Sequence, residues 1–447
     1  MQAGFAISDI TPALGIYLTG YGQPERLAEQ IHSPLNATAM VLNDGDRTVA
    51  VVSLDWCFVD WELTGYIRKG VSEASGIPEK NILLSCTHTH SAPHTTVMRT
   101  LGRLTIDPEQ KGVQYAKDAI PAIADAVCRA KNSMRTVEAG FAAGKTETGV
   151  SRRGMNEHGV VIKFIADPDA MYDGNMTVVH FRDSESGKDL GIFIHCSAHN
   201  TSMGSSRIIS SDWCGVMRKR VGMHYDCPVI FLNGAIGDVG PRSNRYLEFP
   251  MISGYSAGGG DGVCTAEEVG YRAATDALQL LYNIRDFRKD LPLKVSTSDI
   301  VMPQELPMTE AEAKKIMDEF GEETAKLTDP PLEYQLARAM WESWQGTPEP
   351  EFRFEQTLVA FGPLALAPFP FEMFSIFSLR LRKYGPSEYT LLCGNTNGRY
   401  GYMPDRGAIA YGGYEVTSRK NVRNYVLKPE AGDLAIEQTL EALRNLN

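Results

Sequence analysis

The chain has 447 residues, with 44 Lys and Arg against 55 Asp and Glu, which gives a formal net charge of −11. Hydrophobic residues at 43% and charged residues at 22% are typical of a globular protein and exclude disorder as the global state. The acidic balance argues against a nucleic acid partner, because such partners are bound through clustered Lys and Arg. The eight cysteines include no C-x-x-C pair, so we expect reduced thiols rather than a dense disulfide framework.

The N-terminus and the hydropathy pattern indicate where in the cell the protein is expected. The first fifteen residues, MQAGFAISDITPALG, carry neither a basic n-region nor an apolar h-region, so a secretory signal is not expected. No uninterrupted run of about 18 apolar residues occurs, which predicts that the chain has no integral membrane segment. We therefore expect a cytoplasmic protein, unless a signal peptide has been removed from this sequence.

Apolar, strand-like runs alternate with helical segments through most of the chain. Residues 36–57 predict a β-hairpin whose turn lies at 43–46, and residues 81–86 predict a short buried strand. Further strands are expected at 176–182, 190–196, 229–232, 353–361 and 364–367. Helices are expected at 114–131, from about 372, and at 430–445. This alternation predicts an α/β fold of mixed β-sheets with flanking helices.

Two segments differ from this background. Residues 252–262 (ISGYSAGGGDG) are glycine-rich and are expected to form either a mobile loop or a plain surface loop. Residues 308–345 are charged and helical, and the pair Pro330-Pro331 divides them. The second segment therefore predicts an exposed helical hairpin.

Histidines cluster just past the ends of two predicted strands. In residues 87–94 (THTHSAPH), His88 and His90 alternate and could face one cleft, either as two metal ligands or as one ligand and one acid/base group. A hydrogen-bonded pair in a loop is the alternative. A second group holds His195 and His199, four residues apart, without the glutamate of an H-E-x-x-H motif. Because zinc sites collect ligands from separate elements, the two groups together favour a metal site.

Three further segments carry possible site residues. The loop at 234–238 lacks the features of a P-loop or a dinucleotide fingerprint, and is expected to bring backbone N–H groups and Asp238 close to a cleft. Glu372 lies in an apolar setting, where a carboxylate must be paired, ligate a metal or cap a helix. Residues 395–415 hold four tyrosines among glycines, which form either an aromatic surface or a binding wall with phenolic donors.

In this order, the motifs resemble those of the neutral/alkaline non-lysosomal ceramidase family. The resemblance runs along nearly the whole chain, through Gly4-Phe5-Ala6, Asp9–Pro12, Gly20-Tyr21-Gly22, residues 31–35, Ser53–Asp55, Thr87–Pro93, His199–Met203, Gly237-Asp238, Phe371–Met373, Tyr402 and Tyr414-Glu415. It implies one zinc ion bound by two His, one Glu and one Tyr. Carried over by motif, these ligands are His88, His199, Glu372 and Tyr402.

The resemblance also implies residues that act on the substrate. His90 and Arg152 would orient and polarise the scissile carbonyl, and Arg153 is the alternative to Arg152. Tyr414 lies twelve residues after Tyr402, where the family places a second active-site tyrosine followed by Glu. A zinc ion with few protein ligands keeps an open position and lowers the pKa of its bound water to roughly 7, which suits hydrolysis at neutral pH.

The sequence also departs from the family pattern. Gly240 stands where the family's ceramide-cleaving members have a serine, in Gly-Asp-Val-Ser-Pro, and its role is open. No C-terminal immunoglobulin-like domain is expected, so residues 1–447 are predicted to form a single catalytic domain with the helical hairpin at about 308–345. Metal-dependent hydrolysis therefore carries over better than ceramide as the substrate.

These observations predict a zinc-dependent hydrolase in which metal-bound water attacks an amide bond of a soluble N-acyl or related small molecule. One alternative keeps the zinc ion but changes the bond to an ester, lactone or glycosidic bond. The other is a non-catalytic, metal-stabilised binding protein. The sequence does not specify the oligomeric state.

Overall fold

The structure, a computed structural model, describes residues 1–21, 26–96, 110–162, 164–243, 262–327, 330–418 and 425–446. The glycine-rich segment predicted at 252–262 lies outside these ranges except for Gly262.

The strands fall into two larger sheets and several short pairs. They are β1 (Gln2–Asp9), β2 (Gln30–Ile31), β3 (Asn36–Asn43), β4 (Thr48–Leu54), β5 (Ile82–Cys86), β6 (Arg135–Lys145), β7 (Gly149–Ser151), β8 (Asn175–Asp183), β9 (Asp189–Cys196), β10 (Ile208–Ile209), β11 (Val229–Asn233), β12 (Val239–Pro241), β13 (Phe287–Arg288), β14 (Leu293–Glu305), β15 (Glu351–Phe361), β16 (Leu364–Pro368), β17 (Glu372–Met373), β18 (Tyr389–Cys393), β19 (Tyr402–Met403) and β20 (Val426–Leu427).

The helices lie between these strands and after them. They are α1 (Trp61–Ser75), α2 (Lys111–Asp118), α3 (Ile120–Asn132), α4 (Asp212–Tyr225), α5 (Gly262–Tyr282), α6 (Glu310–Phe320), α7 (Leu332–Gln345), α8 (Ser375–Tyr384), α9 (Arg406–Tyr411), α10 (Tyr414–Ser418) and α11 (Ala431–Leu446). Among the helices that the structure describes, none has both the length and the apolar character needed to cross a bilayer.

The larger sheet has the order β11-β9-β8-β6-β1-β3-β4-β5, and β13 pairs with β6. The smaller sheet has the order β18-β16-β15-β14-β20. Both sheets contain parallel and antiparallel pairs, since β4 runs parallel to β5 and β16 parallel to β18 while most other neighbours are antiparallel. The predicted α/β fold of mixed sheets with flanking helices is therefore confirmed.

The two sheets pack face to face, and helices cover their outer faces. Phe181 of β8 contacts Phe361 of β15, with ring centroids 5.9 Å apart, in a core formed by both sheets. Helices α1 and α3 cover one part of the larger sheet, α4 and α5 another, and α8 and α11 cover the smaller sheet. In β3, Val41 faces the helices and Leu42 faces the other sheet, because successive side chains point to opposite faces. Strands buried on both faces explain the nearly continuous apolar runs in the sequence.

Two predicted boundaries differ from the structure, and a third segment agrees with its prediction. The helix predicted at 114–131 is divided into α2 and α3, and Pro121 lies in the first turn of α3, where the missing N–H costs nothing. The helix predicted from about 372 begins at Ser375, because Glu372 and Met373 instead pair with Tyr402 and Met403. The charged segment at 308–345 contains α6 and α7. The assignment of residues 1–447 to a single domain stays a prediction.

The larger sheet brings several strand ends together. The Ser53 hydroxyl of β4 donates a hydrogen bond of 2.6 Å to the Phe231 carbonyl of β11, although these strands are far apart in the strand order. The Asn233 amide at the end of β11 donates to the Thr87 carbonyl just after β5, and the Gly234 N–H donates to the Cys196 carbonyl at the end of β9, so the carboxyl ends of these three strands lie close to each other. The chain segments that follow these ends carry the histidine groups.

Candidate functional site

His88 and His199 are anchored in the same way. His88 Nδ1 lies 2.7 Å from the Cys57 carbonyl oxygen, and His199 Nδ1 lies 3.0 Å from the Val239 carbonyl oxygen. Both rings are buried, at 2% and 0% exposure. A backbone carbonyl can only accept, so each Nδ1 carries the proton and each Nε2 is left to face the other ligand atoms. Histidine ligands of zinc are oriented in this manner.

Glu372 meets both histidines. Its Oε2 lies 3.0 Å from His199 Nε2 and 3.5 Å from His88 Nε2. The ligand atoms of these three residues all lie within 4.8 Å of one another, and all three residues are buried. The parallel pairing of β17 with β19 places Glu372 beside Tyr402. The structure thus brings together the three predicted ligands that bear nitrogen or carboxylate donors.

The charges of this cluster fit a divalent cation. Burial alone would raise the pKa of Glu372, but His88 and His199 hold it well below its usual range. Burial and the nearby Arg152 charge lower the pKa of His199 to about 3, so its ring is neutral. Burial would also lower the pKa of His88, but the Cys57 sulfur and the Glu372 carboxylate raise it to about 10. The cluster therefore needs a positive charge between His88 and Glu372, and a proton or a metal ion can supply it.

His90 lies at the edge of the same cluster. Its Nε2 is 3.3 Å from His88 Nε2, and its ring packs edge-on against Tyr21 with centroids 4.9 Å apart. Burial and the His88 charge lower the pKa of His90 well below its usual value, so the ring is neutral. Gly20 backs this ring: a β-carbon there would lie 2.3 Å from His90 Cγ, and the backbone has φ +102°. The motif Gly20-Tyr21 therefore holds His90 in place.

Arg152 and Arg153 share one carboxylate but face different groups. Arg152 donates to Glu415 Oε1 and to the Tyr402 hydroxyl, both at 3.0 Å. Arg153 donates to Glu415 Oε2 at 2.7 Å and to the Gly412 carbonyl. Of the two arginines that the sequence left open, Arg152 is the one in contact with Tyr402. Glu415 was not identified as a site residue, although an acid directly after Tyr414 in an aromatic segment was a signal for it.

Two tyrosines close this side of the cluster. The rings of Tyr402 and Tyr414 have centroids 5.8 Å apart, and Phe164 packs against Tyr414 at 5.0 Å. Burial and the Glu372 charge raise the pKa of Tyr402 well above its usual value, so without a metal ion its hydroxyl is protonated. Tyr402 is 8% exposed, whereas Tyr414 is half-buried. Of the four tyrosines in residues 395–415, Tyr402 and Tyr414 thus lie beside the cluster.

The loop after β11 lies beside His199. Asp238 Oδ1 accepts hydrogen bonds from the Ser375 N–H at 2.9 Å and the Ser375 hydroxyl at 2.8 Å, and burial raises the pKa of Asp238 to about 7. Gly240 follows Val239, whose carbonyl anchors His199, and pairs with Val150. Gly240 therefore adjoins the residue whose carbonyl orients His199.

A second group of possible ligands overlaps the first. It consists of Cys57, His88 and His90. Cys57 Sγ lies 3.7 Å from His88 Nδ1, but that nitrogen already donates to the Cys57 carbonyl. Because both groups need His88, they do not define two independent sites. Glu372 faces the Nε2 atoms of both histidines, whereas Cys57 approaches the His88 nitrogen that is already hydrogen-bonded, so the group with Glu372 is the better metal site.

Comparison with known proteins identifies related chains. The family model described as "Neutral/alkaline non-lysosomal ceramidase, N-terminal" matches residues 1–224. Neutral ceramidase 2 of Arabidopsis thaliana is 28% identical over 231 residues, which cover 47% of this chain and 28% of that protein. Neutral ceramidase A of Dictyostelium discoideum is 28% identical over 222 residues, which cover 47% of this chain and 30% of that protein. The match thus spans less than a third of each of these relatives.

A solved structure shares the fold. The crystal structure of neutral ceramidase from Pseudomonas aeruginosa superposes with a TM-score of 0.73 at 18% sequence identity, and the match covers 100% of this chain and 75% of that one. A ceramidase complexed with C2 superposes with a TM-score of 0.74, also at 18% identity, over 99% of this chain. At this level of identity the likeness shows the fold alone.

Proposed function

The chain belongs to the neutral/alkaline non-lysosomal ceramidase family, and from this premise we propose that it is a zinc-dependent hydrolase of an amide bond. The observation that carries the proposal is the buried cluster of His88, His199 and Glu372, whose ligand atoms converge within 4.8 Å. Two imidazole nitrogens and a carboxylate oxygen form a donor set typical of catalytic zinc sites. Tyr402, beside Glu372 in the β17–β19 pair, is proposed as the fourth ligand.

A zinc ion bound here would activate water as a nucleophile and polarise the substrate carbonyl. The surrounding residues supply the remaining functions. The Arg152 guanidinium, held by Glu415 and Tyr402, stabilises negative charge that develops on the carbonyl oxygen. His90, neutral and only partly exposed, is suited to hydrogen-bond the substrate and to move a proton. The Tyr414 phenol can protonate the leaving amine.

The family name supports an amide bond, because the matched relatives are ceramidases. Ceramide, as the substrate class those names give, is therefore the first compound to assay. Gly240 favours a second candidate: without a serine hydroxyl at that position, a soluble N-acyl compound, or an ester, lactone or glycoside, is an alternative substrate. A panel containing ceramide, soluble N-acyl amides, esters and glycosides, assayed with metal-replete protein, separates these possibilities.

Metal analysis tests the proposed ligand set. We expect the purified protein to bind about one zinc ion per chain and the His88→Ala variant to bind essentially none, because a site with three or four protein ligands loses most of its affinity with one of them. His224→Ala is the matched control, since His224 lies exposed on α4 and bonds Tyr282 instead. Full zinc retention by His88→Ala would rule out this site.

The non-catalytic alternative makes a different prediction. A metal-stabilised binding protein would lose thermal stability when a chelator removes its zinc, yet would turn over none of the panel substrates. Turnover of any panel compound that is abolished by the chelator and restored by zinc would exclude it.

A further inference from the structure

The backbone of His88 has a conformation that is uncommon for a residue other than glycine. Its φ is +65°, in the left-handed region that residues with a β-carbon seldom occupy. Such a conformation persists only where the surrounding structure holds it, and it concentrates at functional sites. What holds it here is visible in the contacts of the peptide between Thr87 and His88.

Two buried amides donate to the same carbonyl oxygen. Asn200 Nδ2 and Asn233 Nδ2 each lie 2.5 Å from the Thr87 oxygen, and both asparagines are fully buried. A carbonyl oxygen has two lone pairs, so these donors saturate it and fix the orientation of the Thr87–His88 peptide plane. That orientation determines φ of His88.

The other contacts of His88 complete this arrangement. Its N–H donates to the Trp56 carbonyl at 2.9 Å, and its Nδ1 donates to the Cys57 carbonyl at 2.7 Å. The peptide is thus held at both its C=O and its N–H, and the ring is held at Nδ1. With these three points fixed, Nε2 points towards Glu372.

Asn233 carries a destabilising feature, so a contribution to the stability of the fold does not explain why this residue is present. One amide would satisfy the Thr87 carbonyl, and Asn200 already supplies it while its Oδ1 accepts from the Cys214 N–H. Asn233 Oδ1, in contrast, is buried without a hydrogen-bond partner in the part of the chain that the structure describes. A buried polar atom left unpaired is destabilising. The contribution of Asn233 therefore comes from its Nδ2 group, which donates to the Thr87 carbonyl.

We propose that Asn200 and Asn233 are positioning residues that hold the Thr87–His88 peptide in the left-handed conformation and thereby aim His88 Nε2 into the metal site. The inference rests on the proposed function for its consequence, since it concerns how a zinc ligand is oriented. The conformational part is independent of zinc and can be tested without it.

The first test compares glycine with alanine at position 88 in metal-free protein. Neither residue binds zinc, and glycine adopts φ +65° without strain whereas alanine does not. We expect His88→Gly to melt at a higher temperature than His88→Ala when Asn233 is present. In the Asn233→Leu background this advantage should shrink, because the Thr87 carbonyl then keeps only the Asn200 donor and the peptide is held less firmly in the left-handed conformation. An equal advantage in both backgrounds would overturn the proposal.

The second test measures zinc affinity with His88 intact, by competition with a chromophoric chelator. Asn233→Leu is expected to weaken zinc binding roughly 10–100-fold, as changes to groups that orient metal ligands do. Asn81→Leu is the matched control, because Asn81 also donates its amide to a backbone carbonyl, that of Thr48 at 3.0 Å, but remote from the site. If Asn233→Leu does not fold, Asn233→Ala removes the same donor with a smaller change in shape.

The two tests separate this proposal from the proposed function. An unchanged zinc affinity in Asn233→Leu, beside a parent protein that binds zinc, would contradict the positioning role. A parent protein that binds no zinc would contradict the proposed function instead. The glycine and alanine comparison would then still decide whether the two amides hold the peptide.

Discussion

Replacing Glu372 with glutamine is expected to weaken zinc binding by more than about 100-fold, since changes to groups that merely support a metal ligand already cost 10–100-fold. The side chain keeps its shape but loses the negative charge that faces His88 and His199. Neutral amide oxygen is a poor zinc ligand compared with carboxylate. Turnover of any substrate should decrease in parallel with the amount of zinc bound.

Zinc competition and activity at limiting zinc measure this effect. Glu388→Gln is the control. It is the same chemical change made away from the site, because Glu388 pairs with Arg288 on the surface. Wild-type zinc affinity in Glu372→Gln would show that the carboxylate is not a ligand.

Replacing Asp55 with alanine is expected to lower the free energy of unfolding by about 3–5 kcal/mol, the cost of leaving a buried charge without its partner. Arg218 Nη2 lies 2.7 Å from both carboxylate oxygens of Asp55, and Asp55 is fully buried. The same carboxylate accepts from the Asn36 N–H and the Thr87 hydroxyl. Its loss therefore also loosens the segment that carries His88.

Denaturant unfolding of the metal-free protein measures this loss. The double variant Asp55→Ala/Arg218→Met should be less destabilised than Asp55→Ala alone, because it removes the stranded charge as well. At the surface, Glu351→Ala breaks the ion pair with Arg353 and should cost less than about 1 kcal/mol. If Asp55→Ala lowers the free energy of unfolding no more than Glu351→Ala does, the buried Asp55–Arg218 pair does not stabilise the fold as predicted.

Local patterns predicted the elements better than their assembly. The hairpin at 36–57 is visible in the sequence because β3 and β4 are long, apolar and joined by a turn of polar residues and glycine. The order of strands in each sheet, and the packing of the two sheets on each other, depend on contacts between distant segments. Alternating apolar residues show that a strand is buried, but they do not show what covers it.

The candidate site shows the same division. His88 and His90 formed a recognisable group because they are two residues apart, but Glu372 is 173 residues from His199, which it contacts. The two-residue strands β17 and β19 that place Glu372 beside Tyr402 have no periodic signal. The apolar setting of Glu372 marked it as a possible ligand, but only the family resemblance grouped it with the histidines and assigned Tyr402. The pairs Asp55–Arg218 and Asn233–Thr87 were missed for the same reason: each joins groups separated by well over a hundred residues.

The choice between Arg152 and Arg153 illustrates what geometry adds. The residues are adjacent and of one type, so neither composition nor spacing distinguishes them. In the structure the backbone of Arg152 bonds the Asp238 carbonyl and its side chain contacts Tyr402, whereas Arg153 reaches the carbonyl of Gly412. Successive residues in an extended segment point in opposite directions, which separates the two side chains.

The location of bound zinc tests the central claim most directly. Crystals of metal-replete protein, with diffraction measured on both sides of the zinc absorption edge, should give one strong anomalous peak about 2.0–2.2 Å from His88 Nε2, His199 Nε2 and a Glu372 carboxylate oxygen. A zinc peak at another place in a zinc-containing protein, or none within bonding distance of these three residues, would contradict the assignment of this cluster as the metal centre.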